Sequence, residues 1–256
     1  MSTVFDVYAA YYDLLYQDKD YKAETNFVHD LLAKHGVPAR GELLELGCGT
    51  GKHAEAFARL GYRLHGVDMS PAMVAAANAR KPADIADQLE FALGDVRDVL
   101  VGKSFDAVIS LFHVASYQTT NADLSAMFQT ASEHLNTGGV FLFDCWYGPA
   151  VLTDRPVVRV KRMSNEAVEV LRIAEPEMYP NENIVDVNYT VHVKQKGEER
   201  VSELREKHRM RYLFAPEVEL LLEQAGMRMV ERMEWLTGKS TSFDSWAATF
   251  VAVKEG

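Results

Sequence analysis

The chain has 256 residues, 48% of them hydrophobic and 25% charged, enough for one large α/β domain or one domain carrying an insertion. Aspartate and glutamate number 37 against 27 lysines and arginines, a formal net charge of -10 that repels a phosphate backbone and argues against a nucleic acid partner. The N-terminus lacks the charged and apolar regions of a signal peptide, no apolar run approaches the roughly 20 residues that cross a bilayer, and two cysteines are too few for a disulfide framework. The expectation is a cytoplasmic protein with no membrane partner.

Phe5 to Tyr16 and Tyr21 to His35 carry aromatic and aliphatic residues at helical spacing, the second segment stopping at Gly36. A strand, Glu42 to Leu46, runs into the loop Gly47-Cys48-Gly49-Thr50-Gly51, and a helix follows to about Leu60. Tyr62 to Val67 reads as a second strand and Pro71 to Arg80 as a helix, with Ser70 as N-cap and proline at its first position. Leu89 to Leu93 and Phe105 to Phe112 read as strands, Asp123 to Leu135 as a helix closed by Gly138-Gly139, and Val140 to Cys145 as a fifth strand. This alternation predicts a doubly wound α/β sheet.

After Trp146-Tyr147-Gly148-Pro149 the pattern changes. Val157 to Met163, Ala167 to Ala174, Ile184 to Gln195 and Val201 to Met210 are rich in β-branched residues and leave no room for a helix, which predicts an inserted antiparallel sheet. A helix, Pro216 to Gln224, and two last strands, Met227 to Trp235 and Trp246 to Val253, complete a seven-stranded mixed sheet. The predicted division is a core of residues 1–150 and 212–256 around an insertion of residues 151–211.

A glycine-rich turn from strand to helix brings backbone N–H groups and the positive end of the helix dipole to a ligand. Nicotinamide and flavin enzymes use a related turn, so a nicotinamide-dependent oxidoreductase is one reading. The spacing disfavours it: a dinucleotide fingerprint sets its third glycine three residues after the second, whereas Gly51 follows Gly49 by two and Lys52 comes next. Glu45, just before the first glycine, would repel a pyrophosphate and suits a cationic amino group. Asp68 ends the second strand, where a carboxylate can accept both ribose hydroxyls, and Asp95 ends the third, where it can accept an adenine amino group.

With ELGCGTG at 45–51, GVDMS at 66–70, FALGDV at 91–96 and FDAVISLF at 105–112, in that order, the chain resembles the class I S-adenosylmethionine methyltransferases. The resemblance implies S-adenosyl-L-methionine as cofactor. Gly47, Cys48 and Gly49 would line its methionine part, Met69 would pack on the adenine, Val96 would give it a backbone contact, and Phe112 would sit near the sulfonium. It also implies that N-terminal helices bearing Tyr8, Tyr12 and Tyr16 cover the cofactor, Tyr12 touching it and Tyr8 facing the acceptor.

The acceptor belongs on loops at the C-terminal edge of the sheet, and Leu111 to Tyr117 is the best placed. The motif order there resembles the amino-sugar N,N-dimethyltransferases of deoxysugar biosynthesis, through Tyr12-Asp13, Tyr117, Trp146 and His208-Arg209. By that resemblance Tyr117 orients the acceptor nitrogen, and the insertion walls the pocket and pairs two copies into a homodimer. His113 is the best general base if a hydroxyl is methylated, with His208 the next candidate. Trp146 and Trp246 could form an aromatic wall for a sugar. Where those enzymes hold a nucleotide diphosphate with an arginine near the final strand, this chain has Ser245-Trp246, which leaves Lys239 or Arg211 for that role. The scattered histidines offer no metal-ligand spacing, so no metal is expected. The activity expected is methyl transfer to an amino or hydroxyl group of a small polar metabolite, a sugar or nucleotide sugar being favoured. The reading from another class is a cofactor-sensing or partner-binding protein without catalysis.

Overall fold

The computed structural model describes residues 19–166, 168–197 and 200–256. The expected helix from Phe5 to Tyr16, with Tyr8 and Tyr12, lies outside the described residues.

The first described helix, α1 (Tyr21–Lys34), is capped by Asp20, whose carboxylate accepts from the Ala23 N–H at 2.9 Å. β1 (Glu42–Leu46) leads through the glycine loop into α2 (Lys52–Arg59), β2 (Arg63–Asp68) and α3 (Pro71–Arg80). The last is started by Ser70, whose hydroxyl accepts from the Met73 N–H, and by proline in its first turn. β3 (Leu89–Leu93), β4 (Phe105–Ser110), α4 (Asn121–Glu133), β5 (Leu135–Trp146) and α5 (Gly148–Thr153) follow. Four long strands come next: β6 (Arg159–Ser164), β7 (Val168–Tyr179), β8 (Ile184–Gln195) and β9 (Val201–Arg211). α6 (Ala215–Gln224), β10 (Met227–Glu234) and β11 (Ala247–Lys254) close the chain.

One sheet has seven strands in the order β10-β11-β5-β4-β1-β2-β3. β1 runs parallel to both β2 and β4, and β3 and β5 extend the parallel set on either side. β11 is antiparallel to β5 and to β10, which makes the sheet mixed as expected. The chain winds outward in one direction from β1 to β3 and returns to the other side of β1 at β4. That reversal opens a crevice at the C-terminal ends of β1 and β4, where open α/β sheets bind ligands.

Both faces of the sheet are covered, so the central strands are apolar nearly throughout. Side-chain alternation divides the core. Leu44, Leu46, Phe141, Phe143 and Phe250 pack with Phe128 of α4 on one face. Leu43, Leu142 and Val251 pack with Phe57 and Tyr62 on the other. At the switch itself the Ser110 hydroxyl donates to the Leu46 carbonyl at 2.9 Å, tying the ends of β4 and β1 together.

The four-stranded antiparallel sheet, β6-β7-β8-β9, is fastened to the larger one at two places. Val170, Val191 and Val193 pack around Met73 of α3, and Val185 and Val187 around Val151 and Tyr212, beside Trp146 and Trp246. β9 also meets the short 3-10 helix Val114–Tyr117 that follows β4. The smaller sheet therefore overhangs the crevice.

Three local readings differ from the sequence expectation. Gly138 and Gly139 do not close α4 from outside but lie within β5, where Leu135 pairs with Phe105 and Val140 with Ala107 across an irregularity of the ladder. Positive φ at Gly138 (78°) permits it. β4 stops at Ser110, because Phe112 and His113 take left-handed backbone at φ 66° and 63°. Gly148 and Pro149, to which no element is assigned from sequence, start the short helix α5.

Gly66 is the tightest point of β2: a Cβ there would stand 2.8 Å from both Cys48 Cβ and Phe91 Cδ1. Gly66→Ala should lower the unfolding free energy by about 1–3 kcal/mol, measured by urea denaturation, through overpacking alone.

Candidate active site

The glycine loop folds back over the end of β2, with the Gly47 and Cys48 N–H groups both donating to the Val67 carbonyl at 2.9 Å. Gly47 has φ +80°, and a Cβ on it would lie 2.6 Å from Val114 Cγ2, so only glycine lets the loop after β4 come this close. Gly51, at φ +75°, caps α2 and turns that helix's N-terminus toward the crevice.

Three acids stand at this edge in different states. Asp68 Oδ2 accepts from the Gly49 N–H and Oδ1 from the Ser70 N–H, both at 2.9 Å. Burial pushes its carboxyl up and those two bonds oppose the rise. Glu45 is 1% exposed, and burial pushes its carboxyl up to about 8, with Lys19 opposing and Asp68 adding to the rise. Its Oε2 is buried with no hydrogen-bond partner among the described residues, and its Oε1 lies 3.9 Å from His53 Nδ1. Asp95 is held by Arg97, which donates to Oδ1 from its backbone N–H at 3.0 Å and from Nε at 2.9 Å. These bonds hold the Asp95 carboxyl below its ordinary value. Arg97 also reaches Asp123 at 2.8 Å, so Asp95 is tied to the start of α4.

A second buried acid, Asp144 on β5, organises the left-handed turn. The His113 N–H donates to its two oxygens at 3.1 and 3.2 Å, and His113 Nδ1 stands 2.6 Å from Oδ2. Burial pushes the Asp144 carboxyl up, but the His113 ring and N–H outweigh it, and the net position is below the ordinary value. Lys19 closes this side. Its ammonium is 2.9 Å from Glu24 Oε2 and 3.5 Å from the centroid of the Phe112 ring. Glu24 in turn bonds His53 Nε2 at 2.7 Å, completing a buried chain from Lys19 to Glu45.

On the far side the Tyr117 hydroxyl is hydrogen-bonded to His208 Nδ1 of β9 at 2.7 Å, joining the loop after β4 to the overhanging sheet. The Ser116 hydroxyl accepts from the Trp146 N–H at 3.0 Å and fixes that loop to the end of β5.

A single cavity of about 540 Å³ connects these groups. Gly47, Cys48, Gly49, Asp68, Met69, Asp95 and Val96 line it. Phe112 and His113 also line it, with Trp146 6.4 Å from the His113 ring, as do the hydrogen-bonded Tyr117 and His208. Among the residues singled out from sequence, Glu45 lies beneath the floor. Arg211 faces a separate cavity and pairs with Glu217 at 2.6 Å. Trp246 packs edge-on against Trp146 and donates to Asp154 at 3.0 Å, outside the cavity. Tyr8 and Tyr12 lie outside the described residues.

Sequence reading missed Lys19, Glu24, His53, Asp144 and Glu206. Asp144 carried a signal, a lone charge inside the apolar run FLFDCW. The Glu24–His53 pair carried none, since its members come from different helices 29 residues apart.

The methyltransferase domain family matches residues 43–139. The dTDP-3-amino-3,4,6-trideoxy-alpha-D-glucopyranose N,N-dimethyltransferase of Streptomyces venezuelae is 31% identical over 229 residues, 89% of this chain and 92% of that protein. The chain belongs to the class I S-adenosylmethionine-dependent methyltransferases. A second dTDP-amino-sugar N,N-dimethyltransferase similar to this methyltransferase, from Streptomyces fradiae, is 26% identical over 86% of this chain and 83% of its own. Among solved structures, DesVI of Streptomyces venezuelae superposes with a TM-score of 0.80 at 27% identity, covering 96% of this chain and 98% of that one. The S-adenosylmethionine-bound amino pentose methyltransferase of Micromonospora echinaspora gives a TM-score of 0.75 at 26% identity, covering 97% and 96%.

The residues present fit that cofactor. An amino-acid nucleoside carrying two positive charges suits a crevice with an unsatisfied buried carboxylate oxygen at Glu45, a second carboxylate at Asp68, and a glycine cradle that a Cβ would fill.

Glu45 also makes stability depend on pH. Its folded value, about 8, exceeds the ordinary 4.5, so its stabilising contribution is full below pH 4.5 and is lost as pH rises through about 8. Without added cofactor, Glu45→Gln should melt at least about 3 °C above the parent chain at pH 8.5, the gap closing toward pH 4.5 in differential scanning fluorimetry.

Proposed function

We propose that this methyltransferase acts on the amino group of a nucleotide-linked deoxysugar. The observation that carries the reading is the 31% identity, over nine-tenths of both chains, to an enzyme that methylates such a sugar. The form of the cavity agrees with it: a cofactor end built on carboxylates and glycines is continuous with an acceptor end of tyrosine, histidine and tryptophan. The solved structure of the sugar N-methyltransferase KedS8 shares the fold, with a TM-score of 0.79 over 96% of this chain.

In this reading Glu45 and Asp68 take the cofactor's amino group and ribose, Gly47, Cys48 and Gly49 approach its methionine part, and Met69, Asp95 and Val96 flank its adenine. Met69 is 42% exposed at the cavity end, a surface that a planar base would cover. The bound cofactor supplies a methyl group on a sulfonium, already a good leaving group, so the chain's task is alignment and removal of a proton. Phe112 is held rigidly by the left-handed turn and faces the reacting centre, while Tyr117 meets the acceptor nitrogen. His113, whose backbone N–H is held by Asp144 and whose Nδ1 stands 2.6 Å from Oδ2, is a fixed wall there. Trp146 flanks the sugar; Arg211 and Trp246 act from behind the cavity wall. The reading takes residues 1–150 and 212–256 as the catalytic unit, Tyr8 and Tyr12 as part of its cover, and residues 151–211 as an insertion. It also includes a cytoplasmic homodimer formed through that insertion, supported by Val160 and Val201, half exposed on its two edge strands.

The direct test is incubation with S-adenosylmethionine and a panel of dTDP-amino sugars, followed by mass spectrometry for one or two added methyl groups. Addition to a dTDP-amino sugar supports the proposal; turnover confined to hydroxyl acceptors defeats it. Asp68→Ala should weaken S-adenosylhomocysteine binding by about 10- to 100-fold in calorimetry, the worth of one or two charge-assisted hydrogen bonds. Unchanged affinity would remove Asp68 from the ribose site.

A further inference from the structure

Glu206 lies two residues before His208 on β9, so the two side chains share a face of the strand. Both are buried, at 8% and 5% exposure. Glu206 Oε2 stands 3.4 Å from His208 Nε2, while His208 Nδ1 stands 2.7 Å from the Tyr117 hydroxyl. The Tyr189 ring, from β8, packs edge-on to the imidazole at 5.0 Å and 87°, fixing its plane. Tyr117 and His208 both line the cavity, and Glu206 does not. Among the described residues, the carboxylate thus reaches the cavity through the imidazole.

The donor and acceptor inventory orders this chain. A carboxylate has only acceptor oxygens, so the nitrogen facing it carries the proton. A neutral imidazole has one N–H, so with Nε2 protonated, Nδ1 must accept, and the Tyr117 hydroxyl donates to it. The phenol oxygen then turns lone pairs, not its hydrogen, to the cavity.

We propose that Glu206 is a positioning residue that sets the tautomer of His208 and thereby makes Tyr117 a proton acceptor for the substrate nitrogen. The proposal rests on the reading of an amine acceptor given above. Methylation leaves that nitrogen as an ammonium, which must shed a proton before it can attack a second time. In the proposed step an N–H bond of the ammonium breaks and its electron pair stays on nitrogen. The proton passes to the Tyr117 oxygen as the phenol's own proton passes to His208 Nδ1. The product is a neutral secondary amine, an intact phenol and an imidazolium whose charge Glu206 offsets. The imidazolium returns its proton to solvent on product release. Tyr117 touches the substrate; His208 and Glu206 act through it.

The test has one arm independent of any acceptor. In the full chain with S-adenosylhomocysteine, imidazole 15N shifts should show neutral His208 protonated on Nε2, and Glu206→Leu should raise the Nδ1-protonated fraction. Wild-type His208 protonated on Nδ1 overturns the proposal without any variant, so a poorly folding variant does not protect it. In the kinetic arm, Glu206→Leu should lower kcat for the second methylation at least about tenfold, within the range of general acid–base contributions. KM for the acceptor and affinity for S-adenosylhomocysteine should change by less than about twofold. Glu206→Gln, which keeps an acceptor oxygen, should recover part of the loss. Tyr117→Phe combined with Glu206→Leu should be no slower than Tyr117→Phe alone, and independent, additive losses overturn the proposal. If His208 has the stated tautomer but no amino sugar is methylated, the assignment of the acceptor fails while the tautomer control by Glu206 stands.

Discussion

The end of β1 buries a carboxyl group that the described residues satisfy only in part. Glu45 has an oxygen with no hydrogen-bond partner among the described residues, and Asp68 lies close enough to raise its affinity for a proton further. An unpaired buried polar atom opposes folding unless something completes it. The surrounding design keeps this site open to a cation: β1 lies between β2 and β4, the glycine loop turns away from the strand axis, and α2 starts beyond it. Lys19 and His53 stand nearby, but Lys19 is committed to Glu24 and burial lowers its proton affinity. The crevice is thus built for a cationic ligand before any acceptor is considered.

Strain is concentrated on the opposite lip. Two consecutive residues with side chains, Phe112 and His113, hold left-handed backbone, a conformation that costs each of them free energy. Asp144 offsets it by taking the His113 N–H on both oxygens and standing against the imidazole. The turn brings Val114 against Gly47, so the two loops are locked together at 2.6 Å from where a Cβ would be. Through Ser116 and Trp146 the same turn is fixed to β5. A misplacement here would move the Phe112 ring and Tyr117 together, since both hang from one short segment.

The fold was legible because its signals are local. The alternation of ELLEL, RLHGVD, LEFAL and FDAVIS with helices announces a parallel sheet, and β-branched runs after Pro149 announce an antiparallel one. The positions of Gly47, Gly49, Asp68 and Asp95 at strand ends were equally readable. What was not legible depends on contacts between distant segments. That Glu24 meets His53, and that Tyr117 meets His208 across 91 residues of chain, follow from packing that no spacing encodes. Phe112 was assigned to a strand because its apolar character matches β4. The left-handed turn there comes from Asp144, 31 residues away in sequence from His113.

The overhanging sheet brings together what the two lips need. β9 supplies His208 to Tyr117 across 91 residues of chain, and β8 supplies Tyr189 and Val187 to the same wall. A cofactor crevice of this kind is common to many chemistries, since it binds only the donor. Acceptor choice must then come from whatever covers it, and among the described residues the four-stranded antiparallel sheet overhangs it. Its long strands hold side chains at fixed alternation, so a hydrogen-bond chain such as Glu206–His208–Tyr117 can keep one orientation through a catalytic cycle. A flexible lid would have to rebuild that chain each time it closed. The core thus carries the strained turn and Tyr117, and the smaller sheet carries the His208 and Glu206 that stand behind the Tyr117 hydroxyl.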